Sequence, residues 1–357
     1  MHLTAVFIFI LVSKIQSQQA SSPDTEDTEY VSELKQLRGY LLRKFMQTLP
    51  EIVKSWMNFK KDQGLILTPD QNRKYFFVYG KMKLFIEEFM ANTNRPFEVG
   101  ENSLTHLDRE QYFKTAGFVQ SYSEEPNIQL HAEESPTSNL KAIPVYVDWR
   151  AKGHVNSVRD QGNCGSCYAF AATNVVESHR SIKYGKLEVL SEQSIVDCSY
   201  KFGNYQCNGG NYEYTFTYLK KYPFPLSSTY PYNEQPNTCR LYEDPRKAIV
   251  KDFKSVPSGD EHNLAFTTSK SGPIAIAFDV KDPAFQSFKS GVYTSTYCST
   301  TLLNHAMTVV GVGEKPRPHF IVRNSWSPSW GMGGYINVEK NGRNVCGIAT
   351  YAFYPIV

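Results

Sequence analysis

Seven cysteines constrain this chain more than any other feature. They stand at positions 164, 167, 198, 207, 239, 298 and 346 of 357, so the first 163 residues contain none. Seven is odd: at most six can pair within one chain, and one thiol is left over. Whether the others pair depends on the compartment, and the N-terminus bears on that. Leu3 to Val12 form a ten-residue apolar run. It is too short to span a bilayer and fits the hydrophobic part of a secretory leader, read here as residues 1–17, with Ser17 and Ala20 as small residues near the cut. The secretory route permits disulfides. A buried N-terminal strand is the competing reading of the same run. No other stretch approaches eighteen apolar residues, which predicts no membrane span.

Residues 18–29 are polar and acidic. From Tyr30 to about Met90 apolar residues recur at helical spacing, with Leu34, Leu37, Leu41, Leu42 and Phe45 as one stripe and Phe77, Met82, Phe85, Ile86 and Phe89 as another. Around 136–139 the chain is polar and reads as a linker. After Ile143 it becomes rich in Gly, Tyr and Cys. Residues 1–142 hold 16 basic and 18 acidic side chains, and residues 143–357 hold 22 and 17. The opposite net signs favour docking of one segment on the other. Ser166 to Tyr184 reads as a helix closed by Gly185. Residues 273–280, 306–313, 319–326 and 334–340 read as strands. A helical half followed by a strand-rich half predicts two lobes with a groove between them. The net charge of +3, without a basic block, argues against nucleic acid as a partner.

The strongest local signal is QGNCGSCYAF, residues 161–170. A thiol becomes a good nucleophile when its thiolate is stabilised, and a helix N-terminus and a nearby imidazolium both do this. Cys167 at the start of a helix meets the first condition. His305 lies 138 residues on, and Asn324 a further 19. The amide oxygen of Asn324 can accept the second ring proton and hold the imidazole, which makes a Cys-His-Asn arrangement for acyl transfer.

These segments, with LSEQSIVDCS, CNGG, NHAMTVVGVG, VRNSWSPSWGMGGY and CGIATYAFYP, resemble the papain family of cysteine peptidases, and most of all its cathepsin L-like branch. The resemblance covers essentially all of 143–357. It implies an α+β fold with a helical lobe and a β-barrel-like lobe, preceded by a mainly helical inhibitory prodomain in residues 18–142 (helical over about 30–115). It implies a zymogen whose catalytic domain is a cysteine endopeptidase working through a covalent acyl-enzyme, with Cys167 as nucleophile, His305 as base and acid, and Asn324 as its orienter. Gln161 and the Cys167 backbone N–H would form the oxyanion hole. Trp326 would shield the His305–Asn324 bond, and Gly210 would pair with substrate backbone. The S2 pocket, which takes the second residue before the cut, would be lined by Asn211, Tyr212, Ala277, Leu303, Ala306 and Tyr351. The family pairs Cys164 with Cys207, Cys198 with Cys239, and Cys298 with Cys346, leaving Cys167 as the odd thiol. No cofactor and no metal are implied. The expected partners are protein and peptide substrates, the chain's own propeptide and cystatin-like inhibitors, for a monomer that is secreted or delivered to a lysosome or vacuole. No Asn-x-Ser/Thr sequon occurs, so glycan-dependent sorting has no handle.

The chain departs from the family in several places. Tyr168 replaces the Trp that usually follows the nucleophile. Tyr351 stands where relatives carry a smaller residue, which predicts a shallow S2 pocket favouring Val or Pro over Phe, with no charged residue in its lining. In the propeptide, Gly100 and Asn102 of the family's Gly-x-Asn-x-Phe-x-Asp stretch are kept, while Leu104 and His106 replace Phe and Asp. A histidine charging near pH 6.5 predicts release of the propeptide at milder acidity than an aspartate would give. Cleavage is expected between 138 and 143.

Other readings compete. Cys164 and Cys167 could be a redox or zinc pair, but no second pair follows. His305 alone could be a core histidine, and His319 reads as surface or strand-start. A catalytically silent binding protein on the same fold would require loss of Cys167, His305 or Gln161, and all three are present.

Overall fold

The computed structural model describes residues 39–120, 146–241 and 249–357. The leader, Leu34 and Leu37 of the first stripe, the linker and the expected cleavage segment lie outside the described residues. The chain divides into two compact units, Met1–Asp70 and Gln71–Val357. In the first, helix α1 (Gly39–Asp62) buries Phe45, Ile52, Trp56 and Phe59, spaced to fall along one helical face. Lys60 and Lys61 sit in its last turn, where the helix dipole favours cations.

Helix α2 (Pro69–Ala91) opens on a proline, whose missing N–H costs nothing in a first turn. It buries Phe76, Tyr79, Leu84 and Ile86. The expected stripe was therefore one residue out at Phe77, which is half-buried, while Met82, Phe85 and Phe89 pack on the core as partly covered residues. Strand β1 (Phe97–Val99) and helix α3 (Arg109–Lys114) follow. A capping box starts α3: Asp108 accepts from the Gln111 N–H, and Gln111 accepts from the Asp108 N–H.

His106, between β1 and α3, is buried edge-on to the Tyr75 ring, 5.2 Å between centroids. Burial pushes its imidazole down to about 4. The expected titration near 6.5 in place is thus corrected: with little water to solvate it, the ring resists charging while the segment is docked.

Beyond residue 145 come β2 (Val147–Asp148), α4 (Cys167–Tyr184), α5 (Glu192–Cys198), α6 (Tyr212–Leu219), β3 (Asp252–Ser255), α7 (Glu261–Ser271), β4 (Ile274–Phe278), α8 (Pro283–Gln286), β5 (Phe288–Tyr293), β6 (His305–Gly313), β7 (His319–Arg323), β8 (Tyr335–Glu339) and β9 (Ala352–Ile356). The strands form one mixed sheet in the order β1-β5-β8-β7-β6-β4-β9-β3, with β2 added to β6. Among the described strands only β5 and β8 pair in parallel. The fold is the two-lobed α+β architecture expected: a helical lobe built around α4, and a sheet lobe.

Strand β4 explains how one sheet serves two cores. Ile274, Ile276 and Phe278 point into the sheet-lobe core, and Ala275 and Ala277 point into the core that contains α4. Alternation sends successive side chains to opposite faces, so a strand covered on both reads as a continuous apolar run. The small residues face the helix, which lets α4 pack close to the sheet. His319 opens β7 between β6 and β8 and is buried, with Nδ1 2.8 Å from the Arg317 carbonyl oxygen. Its reading as strand-start fits and the surface reading does not, because a central strand is covered on both faces. Disulfides join Cys164 to Cys207, Cys198 to Cys239 and Cys298 to Cys346, and Cys167 carries the free thiol.

Candidate active site

Cys167 is the first residue of α4, and Ser166 precedes it as N-cap without a side-chain cap bond. At the other end Gly185 adopts φ 73° and donates to the Ser181 carbonyl, closing the helix. The approach to Cys167 is a tight turn pinned by the Cys164–Cys207 disulfide. Gly165 donates to the Cys207 carbonyl at 2.9 Å, and a Cβ on Gly165 would stand 2.7 Å from that oxygen. The glycine is what lets the turn come this close. Tyr168, in place of the usual Trp, is fully buried and donates to the Gln206 carbonyl at 3.0 Å.

The Cys167 thiol is buried. It lies 3.5 Å from the Ala116 carbonyl oxygen and receives the Ala306 N–H at 3.3 Å. Burial pushes it up to about 12, against the pull of the Ala306, Tyr168 and Cys167 N–H groups. His305 opens β6 opposite Phe278 of β4. Its Nε2 is 2.8 Å from Asn324 Oδ1, and the Ser325 N–H donates to that same oxygen at 2.8 Å. An oxygen that already accepts one N–H assigns the ring proton to Nε2. Nδ1 is then the lone-pair nitrogen, and it has no hydrogen-bond partner among the described residues. Trp326 stacks on the imidazole with centroids 4.5 Å apart. Burial pushes His305 down to about 4, partly offset by the Asn324 bond.

Gln161 is held by a residue that the sequence reading did not single out. Ser325 donates to its Oε1 at 2.5 Å, which fixes the amide so that Nε2 points away. That nitrogen donates to the carbonyls of Thr115 and Cys164, each at 2.8 Å. Trp326 Nε1 reaches the same Thr115 oxygen at 3.4 Å. Gly210 pairs in parallel with the chain at Phe118: its N–H donates to the Gly117 carbonyl at 2.9 Å and its carbonyl accepts from Val119 at 3.0 Å. Residues 115–119 therefore lie along Cys167, Gln161, Trp326 and Gly210. A Cβ on Gly117 would come within 2.0 Å of the Gly165 carbonyl oxygen, so only glycine passes here.

The Phe118 ring packs into the residues expected to line S2. It stacks on Tyr212 at 5.4 Å and meets Tyr351 edge-on at 5.5 Å, in the cluster that holds Ala277, Leu303 and Ala306. Tyr351 stands beside that ring: its hydroxyl donates to the Glu213 carboxylate and accepts from Asn211 Nδ2 at 3.0 Å, which holds the tyrosine ring as a wall. No sequence signal marked Thr115, Ala116 or Phe118, whose part in the site depends on a chain path through the groove.

Comparison with known proteins decides the family. Residues 143–356 match the model for "Papain family cysteine protease". The chain belongs to this family. A Caenorhabditis elegans protein named "Cathepsin L-like" is 34% identical over 320 residues, covering 88% of this chain and 94% of the relative. An Aedes aegypti "Cathepsin L-like peptidase" is 36% identical, covering 81% and 88%. Among solved structures, digestive procathepsin L2 proteinase from Tenebrio molitor larval midgut superposes with a TM-score of 0.77 at 29% identity, covering 86% of this chain and all of that one. The protein is thus a cysteine endopeptidase of the cathepsin L-like branch. The procathepsin L2 structure covers more of this chain than the matched peptidase segment does, so the likeness reaches into the residues before 143. No helix among the described residues is long and apolar enough to cross a membrane.

Proposed function

We propose that this peptidase is made as a zymogen that cuts peptide bonds through Cys167, His305 and Asn324 by way of an acyl-enzyme, and that residues 71–119 keep it silent until the chain is cut between 138 and 143. The observation that carries the reading is the pair of propeptide carbonyls at the reacting centre: Thr115 on Gln161 Nε2 at 2.8 Å and Ala116 at 3.5 Å from the Cys167 sulfur. A donor at that distance is what a developing oxyanion needs. In the covered groove both reacting groups are pushed toward neutrality, the thiol upward and the imidazole downward. Opening the groove readmits water, and the thiolate–imidazolium pair becomes accessible. Cys167 then attacks the scissile carbonyl, and Gln161 and the Cys167 N–H hold the oxyanion. His305 passes its proton to the leaving amine and afterwards takes one from the deacylating water. Asn324 and the Trp326 ring keep the imidazole in line.

The S2 pocket, read from Phe118, takes a flat aromatic ring. The apolar leader run and the procathepsin-like relatives support passage through the secretory route, with secretion or delivery to a lysosome or vacuole as the end point. Cystatin-like inhibitors, which would fill the groove, and a monomeric state belong to the same reading.

The test is acid activation of the purified precursor in reductant, following the product's N-terminal sequence, hydrolysis of a blocked dipeptide reporter and the site labelled by a thiol-specific epoxide. Cleavage near 138–143, turnover and label confined to Cys167 are expected. Trimmed, disulfide-intact protein with neither turnover nor label would overturn the reading in favour of a binding protein.

A further inference from the structure

The floor of the Phe118 pocket is tied to a carboxylate that plays no part in the chemistry. Tyr351 is hydrogen-bonded at three points. Its hydroxyl donates to Glu213 Oε2 and accepts from Asn211 Nδ2 at 3.0 Å, and its backbone carbonyl accepts the Tyr212 hydroxyl at 2.5 Å. Glu213 is itself set by the start of α6: Asn211 caps that helix, and its Oδ1 accepts the Glu213 N–H at 2.8 Å. One asparagine thus fixes the backbone of the carboxylate-bearing residue and touches the phenol that the carboxylate binds.

A tyrosine side chain has only two soft torsions, so fixing its hydroxyl fixes its ring. A phenol at this position could otherwise turn into the pocket and fill it. Held outward, it presents an edge to the Phe118 ring while Tyr212 presents a face. This two-ring corner suits a planar side chain: stacked and edge-on contacts each add to burial. A compact branched side chain would leave the corner part-empty, with the associated loss of contacts.

We propose that Glu213 is a positioning residue for substrate choice, holding Tyr351 outward so that S2 selects aromatic over compact aliphatic side chains. This rests on the assignment of the Phe118 pocket as S2. Glu213 makes no contact with the substrate ring; it acts through Tyr351.

The experiment compares kcat/KM for two blocked dipeptide reporters that differ only in Phe or Val at the second position. It is run on acid-matured enzyme and on the variants Glu213→Leu, Glu213→Gln, Tyr351→Phe and the double variant Glu213→Leu/Tyr351→Phe. The parent favours Phe. Losing the bond in Glu213→Leu or Tyr351→Phe lowers the Phe:Val ratio roughly three- to tenfold. The double variant falls no further than either single one, because both remove the same bond. Glu213→Gln, whose amide oxygen still accepts the phenol, retains most of the preference. Epoxide titration of Cys167 counts competent sites in every sample, so loss of folded enzyme does not enter the ratio. A parent without preference for Phe over Val would overturn the pocket assignment and the proposal with it. A parent with that preference, unchanged in the variants, or single effects that add, would overturn the proposal and leave the assignment standing.

Discussion

The propeptide is held in two different ways by the two lobes. On the sheet lobe, residues 82–112 are anchored by buried side chains together with the pairing of β1. Phe97 sits among Phe89, Phe288 and Tyr293 with centroids 5.0 to 6.0 Å away, β1 adds to the edge of the sheet, and Asn102 Nδ2 donates to the Gln286 carbonyl at 2.8 Å. Over the candidate site, residues 115–117 touch Gln161, Cys167 and Gly210 with main-chain carbonyls, and Phe118 is the one large side chain of 115–118 inserted there. The contrast separates affinity from inhibition. Side chains far from the thiol hold the segment, and near the thiol a backbone occupies hydrogen-bonding positions that any peptide could use. Deletion of the thiol should leave the anchor intact and remove the chemistry. Cys167→Ala is expected to lower turnover of the trimmed enzyme by about 10⁴-fold or more, measured with a dipeptide reporter, while the precursor keeps the parent's melting temperature within a few degrees.

The next largest effect should come from the anchor. Phe97→Ala empties an aromatic nest and should weaken docking by about 3–5 kcal/mol. Epoxide labelling of Cys167 in the precursor at neutral pH is then expected to rise at least a hundredfold, because the groove segment has lost its tether. Labelling that stayed at the parent rate would mean that residues 115–119 hold themselves in place, and the division between anchor and block would fail.

This division marks what could be read in advance. The lobes, the central strands, α4 and the residues of the candidate site are carried by local runs with strong periodicity or by motifs: AMTVVGVG reads as a covered strand, and QGNCGSC announces its turn. Strands β3, β5 and β9 were not singled out. KSGVY carries a glycine in mid-strand, and DFKS is too short and polar to display a period. Gly291 has φ 97° and passes under Phe97, where a Cβ would stand 2.9 Å from the Phe97 Cα. Its reason lies 194 positions away in sequence. The setting of Tyr351 has the same origin. Tyr351 is a large side chain by identity, and only the Glu213 and Asn211 contacts determine which way it points. Sequence supplies size; direction comes from partners distant in the chain.

A smaller and opposite perturbation lies at Gly117. An added methyl group meets the Gly165 carbonyl, a backbone atom that cannot step aside, so Gly117→Ala should cost the groove segment about 1–3 kcal/mol while leaving Phe97 seated. Cys167 is then expected to become labelled roughly 10-fold or more faster in a precursor whose propeptide still co-purifies after the chain is cut. Phe97→Ala should release the propeptide on the same column. If both variants released it, the two regions would act as one unit.

The mildest test uses pH and sharpens the comparison from the anchor side. Docked His106 titrates at about 4, against 6.5 for an exposed imidazole. Above pH 6.5 the ring is neutral whether docked or free, and docking carries no proton penalty. As pH falls below 6.5 the free segment takes up a proton that the docked segment refuses, so docking loses about 1.4 kcal/mol per pH unit until the ring charges in place near 4. The total is roughly 3 kcal/mol. Release is then expected to begin where the free histidine titrates and to be complete where the buried one does, a different route to mild-acid activation from direct titration of the docked ring. Asp108, two residues on from His106, is paired with Lys74 at 2.7 Å; against the upward push of burial, the Gln111 N–H and then the Lys74 ammonium hold its carboxyl below the usual range. His179 is likewise pushed down to about 4 by burial and loads a similar acid dependence onto the catalytic domain, while His305, pushed down to about 4 in the covered site, adds to the acid dependence of docking. His106→Gln removes the propeptide's share alone. Its self-processing midpoint is expected to move about half a pH unit or more toward acid, while the acid inactivation of the matured enzyme stays where it is. An unmoved midpoint would assign acid release to the groove and not to the anchor.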